Sequence, residues 1–309
     1  MSDNKKKFDI TVIIPTTAKA IRKTTLLLAI DSLVNQIDVT PNILIVINGK
    51  CFDPDLRNDL ENTNNINIIY QEIGSAPLAC ALGRKNVTTE YFCFLDDDDY
   101  LLPDALKTRI DIFNRDRSLD VVVSNGLRKL TNKTETLIFP KGMNQARIDP
   151  LKCLFIKKSN WMASCAATFK SSSITQSFFE DYTNFYEWTY LAIRISLKKK
   201  IAFIDAPGYV INFTPNSLST TTGFLIGQIE FHNAVSSLDL PKDIKNRSII
   251  RWIDSWHSLS EYYRKDGLFK LAWQAHLNSL STIKGFIKYF AYSRKLLINK
   301  QTSKKNNFQ

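Results

Sequence analysis

Histidine is scarce. His232, His257 and His276 are the only three in 309 residues, and without ligand spacing they read as structural. Cysteine supplies neither a zinc site nor a disulfide scaffold. Cys51, Cys80, Cys93, Cys153 and Cys165 are scattered, odd in number and lack a Cys-x-x-Cys pair, which fits unpaired, mostly buried thiols in a reducing compartment. No apolar run approaches the length of a membrane-spanning helix. No repeat of fixed period is visible. The opening residues 1–7 are polar and run straight into a strand pattern, so no secretory leader is read there. The expectation is a cytoplasmic protein, peripheral on the inner face of the plasma membrane.

What is present is enough apolar material for a core. Hydrophobic residues make up 44% and aromatics 11%, which argues against disorder, and the length suits one large domain or two small ones. The formal charge of +11 points to an anionic partner. Nucleic acid, an anionic membrane surface and phosphorylated substrates all qualify on charge alone.

Residues 9–15 form a near-continuous β-branched strand ending in Pro15, as expected of a central parallel strand covered on both faces. Leu26, Leu27, Ala29, Ile30, Leu33 and Val34 follow at helical spacing. Residues 41–47 and 66–70 read as the second and third strands, 76–85 as a helix and 92–95 as the fourth strand. Asn48-Gly49 is a turn signal after the second. This alternation implies an α/β domain whose ligand sits beyond the carboxyl ends of the strands. Thr16-Thr17, Asn48-Gly49 and the acids at 96–99 all fall at such ends. A helix over 104–113 and a strand over 119–124 come next, then an irregular insertion or hairpin over 127–149. Residues 160–169 mix small and aromatic side chains and read either as a strand lining a cleft or as ordinary packing. An aromatic loop opens a helix near Glu187, and strands follow at 201–204 and 209–213. After Thr222 the pattern is helical, so the expected division is 1–222 and 223–309. Near the end, Ile283, Phe286, Ile287 and Phe290 form an apolar stripe. Lys284, Lys288, Arg294, Lys295, Lys300, Lys304 and Lys305 surround and follow it. Such a basic amphipathic segment suits an anionic membrane surface, or equally a domain-packing helix with a solvated tail.

The stretch around which the chain is organised is Phe92-Cys93-Phe94-Leu95-Asp96-Asp97-Asp98-Asp99. Four adjacent acids at the end of an apolar strand repel one another and call for a cation. Carboxylate oxygens are the ligands hard divalent ions prefer, so this is a candidate Mg²⁺ or Mn²⁺ site; the competing reading is a solvated acidic turn. Glu187 opens its helix, where a lone Glu reads either as a surface residue pairing with the helix dipole or, flanked by Tyr186 and Trp188, as a carboxyl in a low-dielectric pocket.

These pieces in this order resemble the family 2 glycosyltransferases over about residues 9–219. Val12-Ile13-Ile14-Pro15-Thr16 is similar to the family's first strand and proline turn. Ser32 and Gln36 match its Ser-x-x-x-Gln helix ending, and Leu95-Asp96-Asp97-Asp98-Asp99 matches its Leu-Asp-x-Asp-Asp element, with Pro103-Asp104 after it. The resemblance implies a GT-A fold: α/β and Rossmann-like, a mixed, mostly parallel sheet flanked by helices, here with a C-terminal helical region. It also implies inverting transfer from a nucleotide-sugar donor to a glycan or lipid-linked glycan acceptor, in bacterial cell-surface polysaccharide or lipopolysaccharide assembly. Carried over residue by residue, Pro15, Thr16, Thr17, Asn48, Asp96 and Asp97 take the nucleotide-sugar contacts, with Asp97 at the family's variable position. Asp98 and Asp99 take the metal, Mn²⁺ or Mg²⁺. Glu187 takes the role of catalytic base, with Glu180 and Asp181 as fallback.

The chain departs from the family in four places. Tyr186-Glu187-Trp188 keeps only one acid of the usual Glu-Asp pair. Ile47-Asn48 stands where an acidic residue is usual. Ala79-Cys80-Ala81-Leu82-Gly83 keeps the glycine of Ala-Arg-Asn-x-Gly without its Arg and Asn. Residues 209–213 lack the basic groups of the usual Tyr-Arg-x-His. These losses keep a second reading open, a catalytically inactive binding module of a polysaccharide-assembly complex. A nucleotidyltransferase ranks low because the loop after the first strand is not glycine-rich. Nucleic acid is not expected as a partner, since the basic residues form no recognised arrangement.

Overall fold

The computed structural model describes residues 9–63, 65–130, 134–156, 160–180, 185–212 and 222–297. The chain divides into two units, one of Met1–Tyr182 with Glu187–Pro215 and one of Thr183–Tyr186 with Asn216–Gln309.

The first unit is built on β1 (Ile10–Thr16), whose Ile10, Val12, Ile13 and Ile14 are fully buried. Helix α1 (Lys23–Val34), β2 (Asn42–Asn48), α2 (Pro54–Glu61), β3 (Ile66–Gln71), α3 (Ala76–Lys85) and β4 (Tyr91–Phe94) follow. β1 pairs in parallel with both β2 and β4, and β2 with β3. Pro15 lies inside β1 rather than ending it. The pairing with β4 stops at Ile13, so on that side the missing proline amide removes no ladder bond. Helix α2 was not expected, although its start is marked in the sequence. Asp53 accepts from the amides of Asp55 and Leu56, and Pro54 occupies the first helical position.

Beyond the acidic run the chain forms β5 (Tyr100–Leu101), α4 (Ala105–Arg115), β6 (Val121–Lys129), β7 (Glu135–Leu137), α5 (Asn144–Ile148), α6 (Pro150–Ile156), β8 (Ala167–Lys170), α7 (Glu187–Lys198) and β9 (Ile201–Ile211). The sheet runs β3-β2-β1-β4-β8-β6-β9-β5, with β7 paired to β6. β8 lies antiparallel between β4 and β6, while β6 and β9 are parallel. The expected insertion at 127–149 is thus a β6–β7 hairpin followed by α5. The two strands expected at 201–204 and 209–213 are one, bent by register shifts against β6 at Ser124/Asn125 and Asn125/Leu127. Of the stretch 160–169, read as a strand or as ordinary packing, only 167–169 belongs to a strand, β8, preceded by a 3-10 turn at Ser164–Ala166.

Two features fix the frame around the carboxyl end of β4. Gly83 brings α3 against β1 and β2, where a Cβ would lie 2.4 Å from Ile13 Cγ2 and 3.2 Å from Val46 Cγ2. The glycine this chain shares with the family therefore serves close helix–sheet packing. The second feature is a clamp from α1 and the turn after it. Gln36, 7% exposed, donates to the carbonyls of Ser32 (2.9 Å) and Leu102 (2.8 Å) and accepts from the amide of Leu106 (3.1 Å). Ser32 Oγ accepts from the amide of Leu101 (3.2 Å), and Ile37 donates to the carbonyl of Pro103 (2.7 Å). The Ser-x-x-x-Gln pattern is thereby the anchor for the segment leaving the acidic run.

The second unit contains α8 (Thr222–Ser236), α9 (Lys242–Lys265), α10 (Phe269–Ser279) and α11 (Ile283–Tyr289). Ile229, Leu259 and Ala275 form one core cluster with Trp252, Trp256 and Tyr263 against it. Ala272, Tyr292 and Leu296 form a second. The three histidines pack here. His232 is buried and held down to about 4 by that burial, His257 stacks on Tyr289, and His276 meets Ser293 Oγ at 2.8 Å. No helix among the described residues is long and apolar enough to cross a membrane.

Replacing Gln36 with Ala leaves the Leu106 amide without a partner and the Leu102 carbonyl with the Ala105 amide alone, and the expected loss is about 1–3 kcal/mol. Urea unfolding of the purified variant measures it, and an unchanged midpoint would remove the clamp from this account.

Candidate active site

The acidic run is a tight turn between β4 and β5. Phe92 and Phe94 are fully buried. The Phe92 ring stacks on Phe169 at 5.1 Å, and Phe94 meets Phe179 at 5.4 Å and Trp188 at 5.1 Å. Leu95 still donates to the Ile13 carbonyl at 2.9 Å, which holds the end of β4 against β1. The chain then turns, with the Asp99 amide donating to the Asp96 carbonyl at 3.2 Å, and re-enters the sheet as β5.

Each carboxylate in the turn has a different set of partners. Ser164 Oγ donates to Asp96 Oδ2 at 2.7 Å. Thr16 Oγ1, at the end of β1, donates to Asp97 Oδ2 at 2.6 Å. Arg22, from the 3-10 turn before α1, lies 3.3 Å from Asp97 Oδ1 and 2.9 Å from Asp98 Oδ2. The Asn212 amide donates to Asp99 Oδ1 at 3.0 Å, and the Cys165 thiol lies 3.8 Å from its Oδ2. Asn212 Nδ2 also donates to the Asp98 carbonyl at 2.6 Å. Behind the turn, fully buried Arg109 bonds Ser124 Oγ and the Cys165 carbonyl, which holds the 164–166 turn in place.

Burial makes Asp96, Asp97 and Asp99 hard to ionise. It pushes Asp99 up to about 8, helped by the Asp96 charge and opposed by the Asn212 amide. It pushes Asp96 up to about 7, against the Ser164 hydroxyl and with the charges of Asp98, Asp97 and Glu187. Asp97 is raised by burial too, with Thr16 and Arg22 opposing. One carboxylate oxygen from each of Asp96, Asp98 and Asp99 lies within 4.8 Å of the others. An all-oxygen set whose members repel one another fits a hard divalent cation, and a softer transition metal less well. Asp96 belongs to this set as well as Asp98 and Asp99.

Glu187 is the first residue of α7. Its carboxyl is raised by burial, partly offset by its own backbone amide, and its Oε2 is a buried oxygen without a hydrogen-bond partner among the described residues. Its charge also acts on Asp96 and on the buried Cys80 thiol. The first residue of α7 and the acidic turn therefore share one electrostatic neighbourhood. Trp188 fixes the start of the helix through its edge contact with Phe94. Of the fallback acids, Glu180 is exposed and Asp181 lies outside the described residues.

The remaining expected contacts stand along the same edge. Pro15 and Thr17 are half-buried beside Thr16. Asn48 ends β2, next to β1 in register, and its Oδ1 accepts from the Ser75 amide at 2.8 Å at the start of α3. Four partners of the acidic turn were not anticipated: Arg22, Ser164, Cys165 and Asn212. Each lies 66 to 114 residues from the acid it meets, so no local pattern links them.

Residues 11–172, just over half of the chain, match the sequence profile described as glycosyl transferase family 2. An uncharacterised glycosyltransferase of Rickettsia typhi is 27% identical over 251 residues, covering 78% of this chain and 76% of its own. Another, from Rickettsia prowazekii, is 32% identical over 110 residues, 35% of this chain and 34% of its own. Among solved structures, S. aureus TarS 1–349 in complex with UDP-GlcNAc superposes with a TM-score of 0.60 at 14% identity, covering 93% of this chain and 92% of that one. At that identity the likeness speaks for the fold, a GT-A sheet with a helical C-terminal region. The profile takes in the β1 strand, the acidic turn and the Ser164–Cys165 turn that meets it, and on that match the chain belongs to glycosyl transferase family 2 and is a glycosyltransferase.

Proposed function

We propose that this glycosyltransferase moves a sugar from a nucleotide-diphosphate donor to a hydroxyl of a glycan or lipid-linked glycan, with inversion. The single observation that carries this reading is Glu187, a buried carboxyl whose charge is felt by Asp96 and whose Oε2 has no hydrogen-bond partner among the described residues. In the proposed reaction the acceptor oxygen attacks the anomeric carbon as Glu187 takes its proton. The bond to the donor diphosphate breaks, and its electron pair leaves with the diphosphate. A carboxyl raised by burial is a stronger base toward a hydroxyl than a solvated one. Asp96, Asp98 and Asp99 would hold Mn²⁺ or Mg²⁺, which when bound neutralises charge on the leaving diphosphate. Arg22 adds a cation beside that turn, while the segment 209–213 carries none. Pro15, Thr16, Thr17, Asn48 and Asp97 complete the donor side. In this reading residues 1–222 form the GT-A domain that does the chemistry. Residues 223–309 keep a cytoplasmic enzyme at the membrane face where cell-surface polysaccharide or lipopolysaccharide is assembled.

Two experiments test the chemistry. Glu187→Gln is expected to lower transfer by ~10²–10⁴-fold while donor binding persists, and Asp98→Asn to abolish both transfer and Mn²⁺ binding. Nucleoside diphosphate release from a panel of nucleotide-sugars reads both, and full turnover by Glu187→Gln sinks the base assignment. The metal is tested by stability. Asp96 and Asp99 ionise near 3.8 when unconstrained but near 7 and 8 in the folded chain. Between those values the folded state holds the extra protons, so metal-free stability falls as pH rises from about 4 to about 8. Saturating Mn²⁺ is expected to raise the thermal midpoint by roughly 5 °C at the upper end of that window and hardly at all at the lower. Asp99→Asn should flatten the metal-free slope, and a midpoint indifferent to Mn²⁺ at the upper end counts against the site.

A further inference from the structure

The apolar stripe near the end of the chain runs along the outside of α11 and onto Phe290, the first residue of the 3-10 turn that follows it. Ile283, Phe286, Ile287 and Phe290 share one helical face, and they are 82%, 49%, 78% and 56% exposed. An amphipathic helix that packs into its own unit turns such a face inward. Here the opposite face is the docked one. Gly285 is buried where a Cβ would lie 1.9 Å from the Ser279 carbonyl oxygen, so only glycine permits the approach. Tyr289 stacks on His257 with ring centroids 3.8 Å apart, and its hydroxyl donates to Asp254 at 2.8 Å. Lys288 reaches the same carboxylate at 2.8 Å, and Tyr292 is buried against the rings of His257 and His276. These contacts fix the helix with its stripe facing out.

Charge identifies the occupant. After Asp266 the chain contains eight Lys and Arg residues and no Asp or Glu. Lys284, Arg294 and Lys295 are exposed around the stripe, with Leu297 adding another exposed apolar side chain at 56%. A second copy of the same face would bring like charges together. The four stripe residues also offer on the order of 500 Å², short of the ~800 Å² per partner of a stable protein interface. A surface with an apolar interior and anionic headgroups satisfies both features.

We propose that the outward face of α11, through Ile283, Phe286, Ile287 and Phe290, seats in the headgroup–acyl boundary of a bilayer rich in anionic phospholipid, with Lys284, Arg294 and Lys295 on the headgroups. This deepens the membrane-face location proposed above and is independent of the transfer chemistry, because vesicle binding needs neither donor nor acceptor. The full chain is sedimented with vesicles of pure phosphatidylglycerol and of pure phosphatidylcholine. Binding to the first, weakened by salt, and little to the second is expected. The double variant Ile287→Ser, Phe290→Ser should bind at least tenfold more weakly. Lys284→Glu with Lys295→Glu should lose about fivefold per residue at low salt. Lys288 is left in place because it serves Asp254. Circular dichroism and the thermal midpoint establish that each variant is folded. Equal binding to both vesicle types, no binding, or binding unchanged in the serine variant overturns the proposal. So does a dimer in sedimentation velocity that the serine variant dissolves, which assigns the face to a second copy.

Discussion

Four adjacent carboxylates at the end of a buried strand set the terms for the first unit. They are too close to share one environment, and the sheet edge is too dry to leave them charged without compensation. The chain separates them by giving each a different kind of partner. Asp96 has a serine hydroxyl, Asp97 a threonine and a guanidinium, Asp98 the same guanidinium, and Asp99 an amide and a thiol. Even so, Asp96 and Asp99 keep protons into the neutral range. The donors around them restrain the turn, and the charge still asks for a cation that no side chain in the set fully supplies.

Much of this was legible locally. β-branched runs marked β1 and β2, and an apolar run ending in acids marked β4 and the turn. These signals are short-range, since buried strands and charged turns announce themselves within a few residues. Asp53-Pro54 would also have revealed α2 to a reading attentive to caps. The partners of the acids were hidden for a different reason. Nothing in Asn212 or Ser164 differs from hundreds of surface polar residues until the sheet order brings β9 and the 164–166 turn to β4. The direction of the α11 stripe was hidden likewise. Its amphipathicity was plain, yet which face docks is decided by Gly285, Tyr289 and Tyr292, whose partners lie in α9 and α10.

Ser32 and Gln36 illustrate how a pattern shared with a family acquires a physical meaning. Neither reaches the acids. They grip the backbone just after them, at Leu101, Leu102 and Leu106, so that the turn is held at both ends, by Leu95 on β1 and by this clamp on α1. Gly83 plays a comparable part from the other side by letting α3 approach the strands whose ends carry Thr16 and Asn48.

The distances in sequence spanned by the contacts of the acidic turn bear on how the chain folds. β1 to β4 can pair through local crossovers, but Asp96 and Asp99 receive Ser164, Cys165 and Asn212 only after β8 and β9 have joined the sheet. Thr16 and Arg22 reach Asp97 and Asp98 from β1 and the turn before α1, so it is Asp96 and Asp99 that wait on the later strands. Contacts of that span are slow to form because their loops must close first. Completing the corner proposed to carry the chemistry therefore depends on contacts of long sequence span, whereas β1, β2 and β4 pair through shorter ones.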